Sequence, residues 1–220
     1  MSYTYTTFVE ALLLAIQKPS DNVAFQTYLP TVIDQAEQMC YRDLDLLATI
    51  VRNTSGVTTP NDRNFTLPTS SGRFVVLQSI NILNNTSRSF CVKCSREVID
   101  VLWPDNTSPS SDTVPNLYAP LTDQIIMFGP SPGSAFTVEC IGTVRPAGLS
   151  ASNANTFLSN YLPDLFFAAA MISSTAYNQD WGAEKDDPKM AMSWVTKYQS
   201  LLPGAQGEET KRKYQAFASV

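Results

Sequence analysis

Residues 28–51 read YLPTVIDQAEQMCYRDLDLLATIV, and residues 161–178 read YLPDLFFAAAMISSTAYN. Both open on Tyr-Leu-Pro and run into an apolar stretch. Proline suits a first helical turn, where its missing N–H would be unbonded anyway. After Pro30, Val32, Ile33, Ala36, Met39, Cys40, Leu44, Leu47, Ala48 and Val51 recur at three- and four-residue steps. Asp34, Glu37, Arg42, Asp43 and Asp45 take other parts of the wheel, so the spacing predicts an amphipathic helix over 31–51. After Pro163 the chain is apolar nearly all round, which predicts a buried helix. Its small residues Ala168, Ala169, Ala170, Ser173 and Ala176 would let another helix approach closely.

Working outward, TTFVEALLLAIQ (6–17) predicts a short helix with Phe8, Leu12, Ala15 and Ile16 on one face. Pro19 ends it, SDN follows as a capping cluster, and a second short helical piece spans 24–28. Towards the other end, DDP caps a last helix whose stripe is Met190, Ala191, Trp194, Val195, Tyr198 and Leu201. Residues 203–220, PGAQGEETKRKYQAFASV, open on helix-breaking residues and show no apolar stripe. They read as an extended C-terminal tail.

The middle of the chain has another character. NTSGVTTPNDRN (53–64) reads as loop. FTLP, RFVVLQSINIL and SFCVKC then read as strands, with Val76, Ile80 and Ile82 on one face by period two. SREVIDVLWP is a short helix ending at Pro104, and 105–116 is a polar loop. QIIMF and AFTVECIGTV are strands joined by GPSPGS, a hairpin-like connection. The predicted fold class is α+β. A discontinuous helical bundle (1–53 and 150–202) carries an inserted antiparallel β-rich domain (54–149) and an extended C-terminal tail (203–220).

The 220 residues carry 15 Lys and Arg against 20 Asp and Glu, a net charge of −5. The surface as a whole repels nucleic acid and anionic membrane. No apolar run is long enough to span a bilayer, and the start lacks a basic n-region, so neither a membrane span nor a signal peptide is expected. There is no histidine, which removes Ser-His-Asp, Cys-His and imidazole metal chemistry. Of the four cysteines, Cys91 and Cys94 have the spacing of a zinc half-site or redox pair. A closed zinc site needs four ligands, and neither a second such pair nor a histidine exists. No metal, cofactor or required disulfide is expected. Arg42 and Asp45, three residues apart, could pair on the helix surface or between subunits.

The order of these segments resembles a known family. The short helix, YLPTVIDQAEQMCYRDLDLLATIV, the insert with PLTDQIIMFGPSPGSAFTVECIGTVRPAGLS, and YLPDLFFAAAMISSTAYNQDWG with a helix and a basic-aromatic end are similar to the head-to-tail adaptors of tailed bacteriophages. The likeness is greatest to the tubular tail adaptors of T7-like podoviruses. It implies a structural virion protein forming a ring, usually of about twelve copies, that connects the capsid portal to a downstream tail or nozzle protein. Double-stranded DNA would pass through the ring, retained before and released at ejection. It also implies that the C-terminal segment docks on the portal, here through Lys211, Arg212, Lys213, Tyr214 and Phe217. Ala168, Ala169, Ala170 and Ser173 would serve packing between subunits, with Arg42 and Asp45 as an intersubunit pair. The location implied is the virion's head–tail interface, and the host cytoplasm during assembly. An acidic body suits a DNA conduit, since Lys and Arg contacts would grip phosphate.

Other function classes leave weaker traces. A carboxylate-based hydrolase or lyase would use Glu97 with Asp100, or Asp123 with Glu139, if their environments separated their pKa values. A receptor- or carbohydrate-binding β-module would use Trp103, Tyr118 and Phe128 as a platform, although such aromatics ordinarily pack in cores. KRKY beside two glutamates is a poor nucleic-acid footprint.

Overall fold

The computed structural model describes residues 2–17, 23–84, 87–177 and 188–218. Helices α1 (Tyr5–Ala15) and α2 (Val23–Asp43) come first, followed by a 3-10 turn, Leu47–Thr49. Strands β1 (Ile50–Val57), β2 (Asn64–Thr66), β3 (Phe74–Asn84) and β4 (Ser87–Lys93) lead to α3 (Arg96–Leu102). Strands β5 (Leu117–Pro120), β6 (Ile125–Gly129) and β7 (Thr137–Val144) precede α4 (Phe157–Tyr161), α5 (Pro163–Tyr177) and α6 (Pro188–Ala218). The chain is mixed α+β and divides into two compact units. Met1–Ala48 and Ala147–Val220 form one, and Thr49–Pro146 forms the other.

In the helical unit, α5 is the central element, touching α1, α2, α4 and α6. Phe8 of α1 stacks on Phe166 of α5 with ring centroids 4.5 Å apart. Around them Phe25, Val32, Ala36 and Cys40 of α2 pack with Ala168, Ala169, Ala170 and Met171. Two helices start on the same reciprocal cap. Thr4 accepts from the Thr7 N–H while the Thr7 hydroxyl accepts from Thr4 N–H, and Thr156 and Ser159 repeat this before α4.

Three helical boundaries differ from the sequence reading. First, the 24–28 piece and the longer helix are one element, continuing through Pro30. Burial of Phe25, Leu29, Val32 and Ile33 on one face outweighs the lost N–H of the proline. Second, α2 ends at Asp43 and not at residue 51. Leu44 and Leu46 turn into the core, and the Leu47 N–H is taken by the Glu209 carboxylate at 3.0 Å. Ile50 and Val51, β-branched, then join β1. Third, residues 203–218 are helical and not an extended tail. Leu201 and Leu202 pack on the core, and Ala205 and Glu209 are buried four residues apart. These contacts carry α6 through Pro203, Gly204 and Gly207. The DDP cap, Pro19 with SDN, and the side chains of Ala176, Met190, Ala191 and Phe217 lie outside the described residues.

The β unit is a seven-stranded sheet in the order β1-β7-β3-β4-β5-β6-β2. It is not wholly antiparallel: β4 and β5 run parallel through Val92↔Leu117 and Lys93↔Tyr118. A parallel pair needs a crossover, which α3 and the 103–116 loop supply. β6 and β7 do not form a hairpin, because β6 pairs with β5 and β2 while β7 pairs with β1 and β3. β1 lies partly in what the sequence reads as loop, and β5 was not legible there.

The sheet curls until its two ends meet. A Cβ on Gly56 of β1 would lie 2.4 Å from the ring of Phe65 in β2, the strand at the far end of the order. Phe65, Ile80, Ile82, Phe128, Val138 and Cys140 share the core inside this curl. Val76 leaves the inward face shared by Ile80 and Ile82, being 55% exposed. Register shifts on both sides of it, between Phe74 and Val76 and between Leu77 and Ser79, re-aim the side chain.

Candidate docking surface on the helical unit

The buried stripe of α6 turns from apolar to polar along its length. Tyr198, Leu202, Ala205, Glu209 and Arg212 fall at three- and four-residue steps along it. The Tyr198 hydroxyl donates to Asp43 Oδ2 at 2.9 Å, and Gln206 donates to the Asp43 carbonyl at 3.3 Å. Glu209 is 4% exposed, yet its charge is answered on both sides. One oxygen accepts the Leu47 N–H and the other accepts from Arg212. A buried carboxylate held this way is costly to unpair.

Arg212 has a second contact. Its guanidinium lies 4.7 Å from the ring centroid of Phe157 and 5.9 Å from that of Tyr161. Those two rings stack along α4, 5.0 Å apart. The guanidinium thus lies within cation–π range of two rings. Lys213 pairs with Asp45 just beyond the end of α2. Between them a groove of about 410 Å³ opens over Leu44, Gln206 and Thr210.

The five C-terminal residues assigned to docking therefore divide. Arg212 and Lys213 are engaged inside their own unit. Lys211 is exposed, and Tyr214 is 75% exposed. The residues assigned to packing between subunits divide as well. Ala168, Ala169 and Ala170 have no exposed surface, so the close approach they allow is spent inside the protomer. Ser173 is half-buried. Within the protomer Arg42 and Asp45 are not paired with each other: Arg42 donates to the Gln38 carbonyl at 3.2 Å, and Asp45 holds Lys213.

Of the four carboxylates weighed for catalysis, Asp100, Asp123 and Glu139 are matched to arginine. Asp100 receives Arg63 at 2.8 Å and Arg96 at 3.3 Å, while Glu97 stands exposed on the first turn of α3. Its own backbone N–H and the Ser95 hydroxyl hold Glu97 below the usual range. Asp123 pairs with Arg73, which lowers its pKa. Glu139 is fully buried between Arg52 and Arg88, and Asn81 donates to it at 2.8 Å. Burial alone would raise Glu139, but these donors hold it low. The four side chains cross adjacent strands β1, β7, β3 and β4, binding the open face of the sheet.

Glu37 behaves in the opposite way. Burial pushes its pKa up to about 7, against the hydrogen bond from Leu149 N–H at 2.9 Å. Tyr118 and Phe128 sit in the β core, and Trp103 covers Gly129, so the three aromatics form no platform. Cys40, Cys91 and Cys140 are buried thiols pushed up to about 12 by desolvation. Cys91 donates to the Pro115 carbonyl and half-buried Cys94 to that of Tyr118. Among the described residues no group of three or more Cys, Asp and Glu could hold a metal ion, and no helix is long and apolar enough to cross a membrane.

Sequence reasoning missed Glu209, Phe157 and Tyr161. The signal for Glu209 was its helical spacing from Tyr198 and Ala205, hidden because the stripe there is polar. The acidity is also divided. Thr49–Pro146 holds seven Lys and Arg against seven Asp and Glu, so the remaining eight against 13 put the whole −5 on the helical unit. A family model described as SU10 adaptor protein matches residues 3–219. No curated protein matches the chain.

Proposed function

The chain belongs to the SU10 adaptor protein family, and from that premise we propose that it is a structural head–tail adaptor of a tailed phage, with no catalytic role. Copies of it form a ring, about twelve by the usual symmetry of such connectors. The ring joins the portal to a downstream tail protein and extends the channel for double-stranded DNA. The narrower kinship with T7-like tubular tail adaptors belongs to the same proposal. So does the organisation in which the helices of both chain ends form one bundle with a β-rich insert between them, its bounds at residues 49–146. The observation that carries the reading is the match over nearly the whole chain.

The portal-facing surface is the outer side of the end of α6. Lys211 and Tyr214 stand free for a partner there, and Phe217 follows them in the sequence. Arg212 and Lys213 act from beneath, anchoring the helix to α4 and to Asp45. Aromatic anchors in partner pockets ordinarily dominate such contacts, while rim charges steer encounter.

Native mass measurement of the full chain with and without portal tests this. The expected result is a ring that binds portal. Tyr214→Ala is expected to weaken binding about tenfold or more, with unchanged thermal stability, and Lys211→Ala less. Equal binding by Tyr214→Ala and wild type removes α6 as the docking surface. A plain monomer that ignores portal removes the adaptor reading.

A further inference from the structure

The sheet of the β unit contains a split. β3 pairs with β7 from Phe74 to Leu83, but with β4 only from Ile80 to Asn84. β4 then changes neighbours, and Val92 and Lys93 pair with β5. Two register shifts bend β3 in the same region. The side of β3 away from β7, from Val75 to Ser79, therefore has no strand beside it among the described residues. The Gln124 side chain closes only its beginning, donating to the Phe74 carbonyl at 3.1 Å. The Oε1 of Gln124 is buried with no hydrogen-bond partner among the described residues, which leaves an unanswered acceptor there.

The split is a cleft of about 280 Å³ with Val75, Val76 and Leu77 on one wall and Lys93, Tyr118 and Pro120 on the other. Val75 and Val76 are about half exposed. An apolar edge with unpaired N–H and C=O groups is a template for one more strand. Lys93 is exposed at the rim and has no ion-pair partner among the described residues. Asp123 also lines the cleft but is held by Arg73, so the unanswered charge that faces an incoming strand is the Lys93 ammonium.

We propose that the free edge of β3 is a strand-addition site for an extended segment of a partner protein. The segment carries apolar residues at alternate positions, which enter the Val75–Leu77 cleft, and a carboxylate that meets Lys93. This site lies in the β unit and does not depend on the α6 docking reading.

The full chain is titrated with the blocked hexapeptide Thr-Val-Glu-Val-Thr-Val and followed by amide hydrogen exchange. New protection is expected at residues 75–79. Methylation of alternate peptide nitrogens is expected to abolish binding, since the main chain makes the contact. Lys93→Glu is expected to weaken binding about tenfold, and a peptide with Lys in place of Glu to recover it. No binding at millimolar peptide overturns the proposal. So does binding that survives nitrogen methylation, or protection confined elsewhere. Protection of 75–79 on concentrating the chain alone would assign the edge to a second copy and also overturn it.

Discussion

Two buried glutamates show how differently one side chain can be housed. Glu139 meets two arginines and Asn81, and keeps its charge. Glu37 meets one backbone N–H and the nearby Asp34, and its pKa rises from the ordinary 4.5 to about 7. Between those values the folded protein keeps a proton that the unfolded chain releases. Stability is then full below about pH 4.5 and falls as pH rises through about 7, by about 3 kcal/mol in all. Glu37→Gln keeps an acceptor for Leu149 and removes the titration. Urea denaturation at about pH 5 and about pH 8 is expected to show a large difference for wild type and little for the variant. An equal slope in both would mean that Glu37 ionises normally. Neither glutamate was legible as a buried group. Their partners lie 112, 87 and 58 residues away in sequence, and local periodicity cannot report such distances.

Helix α6 is where element-scale reading succeeded and failed within one stretch. Trp194, Tyr198 and Leu201 were legible because apolar period announces a helix. The continuation was not, because Glu209 and Arg212 bury polar groups that satisfy each other, and Pro203 and Gly204 argue locally for a break. Tertiary contact overrides that argument. Removing 203–220 is therefore expected to destabilise the helical unit by about 2–4 kcal/mol, by uncovering Leu47 N–H and the Phe157 ring. Gly207 is open to the reverse change. Nothing lies within 4 Å of a Cβ placed there, so Gly207→Ala is expected to stabilise by about 0.5–1 kcal/mol. Thermal melts of both variants decide it, and a truncated chain that melts like wild type would return the segment to a tail. In the β unit, strands with clean alternation were legible. β5 was not: it is four residues long, ends in proline and pairs in parallel with β4 over two residues.

At the scale of the whole molecule, the neutral β unit and the acidic helical unit make a poor partner for polyphosphate. Native gels at about 0.15 M salt are expected to show no shift of duplex DNA; a salt-sensitive shift would replace the conduit reading with a binding one. The family was legible in the order of the segments, whereas the residues that meet other chains were not. A side chain committed inside its own protomer, such as Ala169 or Arg212, looks the same in sequence as one reserved for a neighbour. The division of the helical unit has a further consequence, in time. Its core joins α2, which ends at Asp43, to α5, which begins at Pro163. At about 10 residues per second, the ribosome takes about ten seconds to make the residues between them. Throughout that interval Phe8, Phe25, Leu29 and Val32 lack the surface they bury against. The β residues emerge whole before α5 exists, and can close while the first helices wait. Until α5 emerges, those apolar side chains stand open to association with other nascent chains, a hazard set by the order of synthesis and not by the stability of the finished fold.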